Sequence, residues 1–491
     1  MSRAAAVVVL AALPIAPAAR AAELQDDLEA RRAHLLEKLD PETIFVLSSA
    51  PSRVYSLDVD YEYRPDSDLY YLTGVDQEDT TLVLMPGNKT KREILFVRDP
   101  DVRREHWNGH SFTADEAKAQ SGIDTVYLQS QRDAFLTSIL NGSQYPRRSG
   151  VRSEEFDAFF DALKAGKARV ALVVGRRPGP GEPLTPVLEF ARVLRERSAG
   201  LEIRDVTGLV GGLRQVKTPY ERKVLTRSLE ITNDAHLAAM RTARPGRWEY
   251  EVEAALEQVY MANGAMSPGY PSIVASGPNA TILHYQKSGR QMKDGDLLLL
   301  DAAASYQGLT GDVTRTYPVS GTFTPEQKDI YRIVLAAQDA GARAAVAGNT
   351  TNDIEKAVAD SVKEGLVRLG LVTDAKGDQF RTWATHGICH WIGMDVHDVG
   401  DYRRPLEPGM AFTIEPGVYV REVALDNLEK TQENQAFAEK VRPVVKKYKD
   451  IGVRIEDSFL LTEKGLVRLS EKVPYKLEDV EAFLKSRPPA R

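Results

Sequence analysis

Cysteine is nearly absent: Cys389 is the only one in 491 residues. A single thiol excludes an intramolecular disulfide framework and a closed thiolate zinc site. A basic excess is missing too, since 64 Lys and Arg stand against 70 Asp and Glu, for a formal charge of −6. That balance argues against a nucleic-acid binder, which carries a net basic face. Beyond the N-terminus no apolar run approaches the roughly 20 residues needed to span a bilayer. No internal repeat is visible. Histidine is sparse, with eight in the chain, yet His386, His390 and His397 fall close together. The remaining composition, 43% hydrophobic and 27% charged, is that of a folded globular chain with room for two or three domains.

The N-terminus reads as a secretory leader. Met1-Ser2-Arg3 is a short positive segment, residues 4–16 are apolar, and Ala19-Arg20-Ala21 offers a small-x-small cleavage site. Residues 1–21 are therefore expected to be a signal peptide, and the mature chain to be secreted or periplasmic. No lipid-anchoring cysteine follows, so no membrane attachment is expected after removal.

Residues 22–207 read as an α/β domain. Leu28, Leu35, Leu36 and Leu39 mark one helical face. Short apolar strands are expected at residues 44–47, 81–85, 94–97 and 170–174. A break is expected at residues 208–212. Residues 208–491 then form an α+β domain, with long helices over 219–241 and 351–369, the latter stopped by Gly370. Strands are expected around the carboxylates described next. A charged segment, about residues 421–451, has helical spacing at Phe437, Val441, Val445 and Tyr448, with Pro443 expected to break or kink it. It reads as a solvated surface insertion; a lid or an oligomer contact is the alternative.

Four carboxylates sit in or beside apolar, strand-like runs: Asp301 in LLLLDAAAS, Asp312 in TGDVTRTYP, Glu415 in FTIEPGVY and Glu456 in GVRIEDS. A lone carboxylate is costly to bury in such surroundings. A strand, a turn and a returning strand would bring Asp301 and Asp312 to one place. His386 and His390 have the spacing of the zinc-helix pattern His-Glu-x-x-His, but Gly387 stands where that pattern needs its glutamate. The period-two run Asp395-Val396-His397 suggests strand. Four carboxylates and one imidazole make a sensible ligand set for two divalent cations.

The order Asp, Asp, His, Glu, Glu with these flanks resembles the pita-bread metallopeptidases, the family of methionine aminopeptidase, Xaa-Pro aminopeptidase and prolidase. In the N-terminal half, Arg64-Pro65-Asp66-Ser67-Asp68-Leu69-Tyr70-Tyr71 and Glu105-His106-Trp107-Asn108-Gly109 resemble the creatinase-type domain of aminopeptidase P, which methionine aminopeptidases lack. The resemblance implies an α/β N-terminal domain and an α+β pita-bread catalytic domain. It implies Asp301, Asp312, His390, Glu415 and Glu456 as metal ligands, with Asp312 and Glu456 bridging. It makes His284 and His397 substrate-facing histidines, His386 a further active-site histidine, Tyr419 and Arg454 pocket residues, and Arg404 a pocket-side arginine.

The implied activity is exopeptidase cleavage of the N-terminal Xaa-Pro bond. Two cations would lower the pKa of a shared water, with Glu415 moving the proton and His284 and His397 donating to the developing oxyanion. An oxygen-rich ligand set favours manganese, with cobalt, iron and zinc as alternatives. The implied partners are peptides with proline second, and further copies of the chain in a dimer or tetramer. The alternatives are a prolidase acting on Xaa-Pro dipeptides and a pita-bread module that binds peptides without cutting them.

Overall fold

The computed structural model describes residues 17–146, 154–198 and 200–488, with side chains from residue 21 onward. The chain divides into two compact units after Val210. Of the expected leader, residues 1–16 lie outside the described residues, and residues 17–21 begin helix α1 (Pro17–Lys38). Among the described residues no helix is long and apolar enough to cross a membrane.

The first unit is a mixed six-stranded sheet with helices. Its strands are β1 (Thr43–Ser48), β2 (Thr81–Leu84), β3 (Glu93–Val97), β4 (Thr125–Leu128), β5 (Arg169–Leu172) and, after helix α2 (Pro186–Arg197), β6 (Glu202–Asp205). They lie in the order β4-β3-β2-β1-β5-β6. The β1–β2 and β2–β3 pairs are antiparallel; β3–β4, β1–β5 and β5–β6 are parallel. The apolar runs read from sequence are the central strands, with Ile44, Val46, Val83, Ile94, Phe96 and Val170 in one core. The leucines Leu28, Leu35, Leu36 and Leu39 are all buried, as their helical spacing requires.

The division after Val210 falls inside the break expected at residues 208–212, yet those residues are helical, within Thr207–Gln215. Its glycines weaken a helix by propensity, but Val210 between them is fully buried, and burial outweighs propensity here.

The second unit opens with α3 (Pro219–Thr242) and α4 (Glu249–Ala262). Thr218 accepts from the Glu221 N–H and Glu221 reaches back to the Thr218 N–H, with Pro219 at the first helical position. Strands β7 (Ile273–Ser276), β8 (Leu297–Asp301) and β9 (Thr314–Pro318) form an antiparallel sheet with Asp301 opposite Thr314. A short hairpin, Ala304–Tyr306 with Leu309–Thr310, joins β8 to β9. Helices α5 (Pro325–Ala344) and α6 (Thr351–Leu369) follow. Ile354, Val358, Val362 and Leu366 of α6 are buried, and Gly370 ends it at φ 74°.

The second sheet holds β10 (Ala411–Ile414), then, after the hairpin partner β11 (Gly417–Tyr419), helix α7 (Gln432–Tyr448) and β12 (Gly452–Arg454), the strands β13 (Asp457–Thr462) and β14 (Gly465–Arg468). β10, β13 and β14 pair in that order, while β11 pairs with β12. Glu456 bridges to Thr314, linking the two sheets at their strand ends. Residues 395–397, expected as strand, are irregular. Residues just before them do run along β10, with Thr413 N donating to His390 O at 2.9 Å and Ile392 N to Ala411 O at 3.2 Å.

The charged insertion is solvated on its outer face but anchored by its inner one. It leaves the β11–β12 hairpin at its tip, where Val420 N donates to Ile451 O at 2.9 Å. Its helix α7 runs through Pro443 and buries Phe437, Val441, Val445 and Tyr448 in the main core. The proline withdraws one N–H from the helix, and the apolar face more than offsets that loss. Phe437→Ala is therefore expected to cost about 3 kcal/mol of unfolding free energy, read by urea titration. A cost below about 0.5 kcal/mol would return the helix to the solvent.

Candidate metal centre and active site

Strand ends deliver the carboxylates. Asp301 is the last residue of β8, and Asp312 precedes β9 by two residues. Glu415 follows β10 directly, and Glu456 immediately precedes β13. His390 comes from the segment hydrogen-bonded beside β10. The Asp312 N–H donates to Ser458 Oγ at 2.9 Å, and Ser458 Oγ donates to Asp312 O at 2.7 Å, which fixes the loop between the sheets.

These residues form overlapping sets of ligand atoms, each set within 4.8 Å: Asp301, Asp312 and Glu456; His390, Glu415 and Glu456; and Asp312, His390 and His397. His390 Nδ1 donates to Trp391 O at 3.1 Å. That leaves the Nε2 lone pair facing Glu415 Oε1 at 3.4 Å, Asp312 Oδ2 at 3.5 Å and Glu456 Oε1 at 3.8 Å. Two ligands each about 2.1 Å from one ion stand roughly 3.0–3.4 Å apart. The spacing suits a shared cation better than direct hydrogen bonds.

Glu456 supplies the sharpest test of fit. Its Oε2 accepts from Thr314 Oγ1 at 2.6 Å, while its Oε1 is buried and accepts no hydrogen bond. An orphaned charged oxygen is expensive to bury, and a cation in the cluster would remove the expense. The donor set fits divalent metal ions.

Electrostatics divide the carboxylates. Burial opposes the charged form of Asp301, yet the Arg454 guanidinium and the Tyr270 hydroxyl hold its carboxyl below the usual range. Burial pushes Asp312 up, reinforced by Asp301 and Glu415. Burial and the charge of Glu456 push Glu415 up; burial and the charges of Asp312 and Asp301 push Glu456 up.

Beside the cluster runs a chain of donors. Arg454 pairs with Asp301, and its Nη1 donates to the Tyr419 hydroxyl at 2.9 Å. Tyr419 donates to His386 Nε2 at 2.8 Å, and His386 Nδ1 donates to Gly387 O at 2.7 Å. Burial and then Arg454 push the His386 pKa down to about 4, so its ring is neutral at physiological pH. His397 is exposed, with its ring 4.3 Å from that of His390. Burial and the charges of His390 and His284 lower its pKa. His284 is exposed and within electrostatic reach of both His386 and His397.

Arg404 does not join this group. It pairs with Glu407, and its Nη1 donates to Gly212 O at 3.4 Å, contacts that spend its guanidinium on its own turn and on residue 212. Sequence reasoning missed Tyr270, whose hydroxyl lies 2.7 Å from Asp301 Oδ1 and also contacts Asp312 Oδ1. Its one signal was Gly269-Tyr270-Pro271 ahead of a strand. Gly269 is obligatory, since a Cβ there would lie 2.0 Å from Thr310 Oγ1.

The raised carboxylates give a pH-dependent prediction. In the metal-free fold Asp312, Glu415 and Glu456 hold protons above the pH at which the unfolded chain releases them. Their contribution to stability is therefore present at low pH and lost as pH rises above the ordinary carboxylate range. Cations compete with those protons and bind more tightly as pH rises. The gain in melting temperature on adding a divalent cation is expected to grow from pH 5 to pH 8. A gain independent of pH in a fluorescence melt would refute the assignment.

Comparison with known proteins agrees with this geometry. Residues 223–463 match the model of metallopeptidase family M24, and residues 28–146 match that of the aminopeptidase P N-terminal domain. The Xaa-Pro aminopeptidase of Escherichia coli is 34% identical over 94% of this chain and 98% of its own. An aminopeptidase structure from Pseudomonas aeruginosa superposes with a TM-score of 0.77 at 33% identity, covering 94% of this chain and 98% of that one. The E. coli aminopeptidase P structure with the inhibitor Pro-Leu gives a TM-score of 0.77 at 32% identity, covering 94% and 98%. With both its catalytic and its N-terminal domain matched, the chain belongs to the Xaa-Pro aminopeptidases of metallopeptidase family M24.

Proposed function

We propose that this chain removes the N-terminal residue from peptides with proline in second position, using two divalent cations held by Asp301, Asp312, His390, Glu415 and Glu456. The observation that carries the proposal is the buried, unpartnered Glu456 Oε1 facing His390 among three further carboxylates. When bound, the cations supply Lewis-acid activation of water and of the peptide carbonyl.

The chain's own residues supply the rest. Glu415, at the end of β10 with Oε1 3.4 Å from His390 Nε2, is placed at the centre to take and return a proton. The bond before proline is a tertiary amide without N–H, and its nitrogen must gain a proton as it leaves; Glu415 is the group proposed to deliver it. His397, kept neutral, can donate an N–H to the oxyanion as charge develops, with His284 as the second donor. Tyr419 and His386, braced by Arg454, form a neutral polar wall for the substrate. The carboxylate-rich cleft favours a terminal amine over an internal peptide segment, which fits an exopeptidase.

Manganese is the proposed ion, because oxygen ligands outnumber the single imidazole. A leader over residues 1–21 would send the enzyme out of the cytoplasm, and a dimer or tetramer is the proposed assembly.

A Xaa-Pro-Xaa tripeptide incubated with enzyme and manganese is expected to lose its first residue, and to stay intact after chelation. Mass spectrometry reads both. Faster cutting of a Xaa-Pro dipeptide would make the chain a prolidase instead. Glu415→Gln is expected to lower kcat by about 10²- to 10⁴-fold, and wild-type kcat in that variant would remove Glu415 from proton transfer.

A further inference from the structure

Asp398 lies one residue beyond His397, and its side chain is completely buried. Lys217 and Arg214, both buried, enclose it. Lys217 Nζ donates to Asp398 Oδ2 at 2.7 Å and to Arg214 O at 2.6 Å. Arg214 Nη2 donates to Asp398 Oδ1 and, at 2.8 Å, to Asp395 Oδ2. Two buried cations thus meet one buried carboxylate, with the partly exposed Asp395 at the edge. The clamp is so tight that a Cβ on Gly393 would lie 2.1 Å from Asp398 Oδ2 and 2.5 Å from Lys217 Nζ.

The loop it grips is irregular, held at its start by Thr310 N donating to Gly393 O at 2.8 Å. Residues 393–399 form no helix or strand. The Asp398 N–H closes the loop onto Trp391 O at 2.8 Å. That same carbonyl accepts the His390 Nδ1 proton at 3.1 Å. One oxygen therefore ties the end of the loop to the tautomer of the imidazole in the metal centre. His397 itself is exposed and touches the His390 ring on one edge, so its direction depends on where the backbone of this loop is held.

Burying an ion pair is a poor way to gain stability, because apolar side chains of similar volume do as well or better. What the charges add is a fixed direction. We propose that Asp398, clamped by Lys217 and Arg214, is a positioning residue that aims His397 at the substrate and, through Trp391 O, steadies His390. This rests on the reading of His397 as a substrate-facing donor.

A double-mutant cycle on the manganese-loaded full chain tests it. Lys217→Met and Asp398→Asn are made alone and with His397→Ala, and kcat and KM are measured on a Xaa-Pro-Xaa tripeptide. Each clamp variant alone is expected to lower kcat/KM by about 10- to 100-fold. In the His397→Ala background the further loss is expected to be under about twofold. Lys217→Arg is expected to restore most of the activity. In the cation-free protein, amide hydrogen exchange over residues 391–399 is expected to rise in Lys217→Met while α6 stays protected.

Equal penalties in both backgrounds would overturn the proposal, because the clamp would then act on the fold and not through His397. Full activity of Lys217→Met would overturn it as well. Full activity of His397→Ala would instead remove the reading beneath it, and that result is separable from the other two. Where Asp398→Asn does not fold, Lys217→Met carries the cycle, since Arg214 still pairs with the aspartate.

Discussion

Mutual repulsion among Asp301, Asp312, Glu415 and Glu456 governs the second unit. Between them Arg454 and His390 face all four, Arg454 against Asp301 and His390 against the other three. Burial makes each negative charge harder to sustain, and each carboxylate raises its neighbours. The folded chain can answer in two ways, by keeping protons or by taking up cations. The orphaned Glu456 Oε1 shows that hydrogen bonds alone do not discharge the debt of charge.

A fold that brings such groups together must hold them against their own repulsion. The support lies behind the cluster. Arg315, buried at the centre of β9, donates to Glu456 O at 2.6 Å and to Thr314 O at 3.0 Å, and pairs with the buried Asp457. Arg468, Gln338 and Ser470 complete the shell around Asp457. The backbone carrying Glu456 is thus held by an ion-paired network with two guanidiniums on one carboxylate, while its side chain faces the carboxylate cluster. On the other side, buried Glu249 accepts from Ser276 N and Oγ, Asn279 Nδ2, Tyr285 OH and Arg290 N, which fixes the loop bearing His284.

The ligand positions were legible because a carboxylate in an apolar run is costly without a partner, so each one advertised itself. Helix α6 was equally plain: a clean apolar face, then a glycine that tolerates positive φ. Other features were hidden because they depend on where distant residues fall. Charge along residues 421–451 suggested solvent, and most of the segment is exposed, but Phe437, Val441, Val445 and Tyr448 of α7 anchor it on the core. The glycines at 208–212 marked where the chain divides, but not that these residues stay helical, with Val210 buried between them. Alternation at Asp395-Val396-His397 suggested a strand, yet the clamp on Asp398 shapes that segment instead. Arg404 carried a family expectation, and its charge is taken by Glu407 nearby. Tyr270 could not be found, since a tyrosine hydroxyl between two aspartates leaves no periodic trace.

Arg454 shows how few groups separate the metal centre from the peptide. The same guanidinium lowers Asp301, donates to Tyr419 and pushes down the pKa of His386. It therefore holds one ligand ionised and adds to the burial that keeps one substrate-side imidazole neutral. An ionised Asp301 can serve a cation, and a neutral His386 can accept from Tyr419 without adding positive charge beside that cation. Removing the guanidinium would let Asp301 join the other carboxylates in taking protons, while burial would still disfavour the charged form of His386. The hairpin β11–β12 places Arg454 opposite Gly417, two residues from Glu415 in sequence. The element that aims the proton carrier thus also carries the charge that sorts its neighbours.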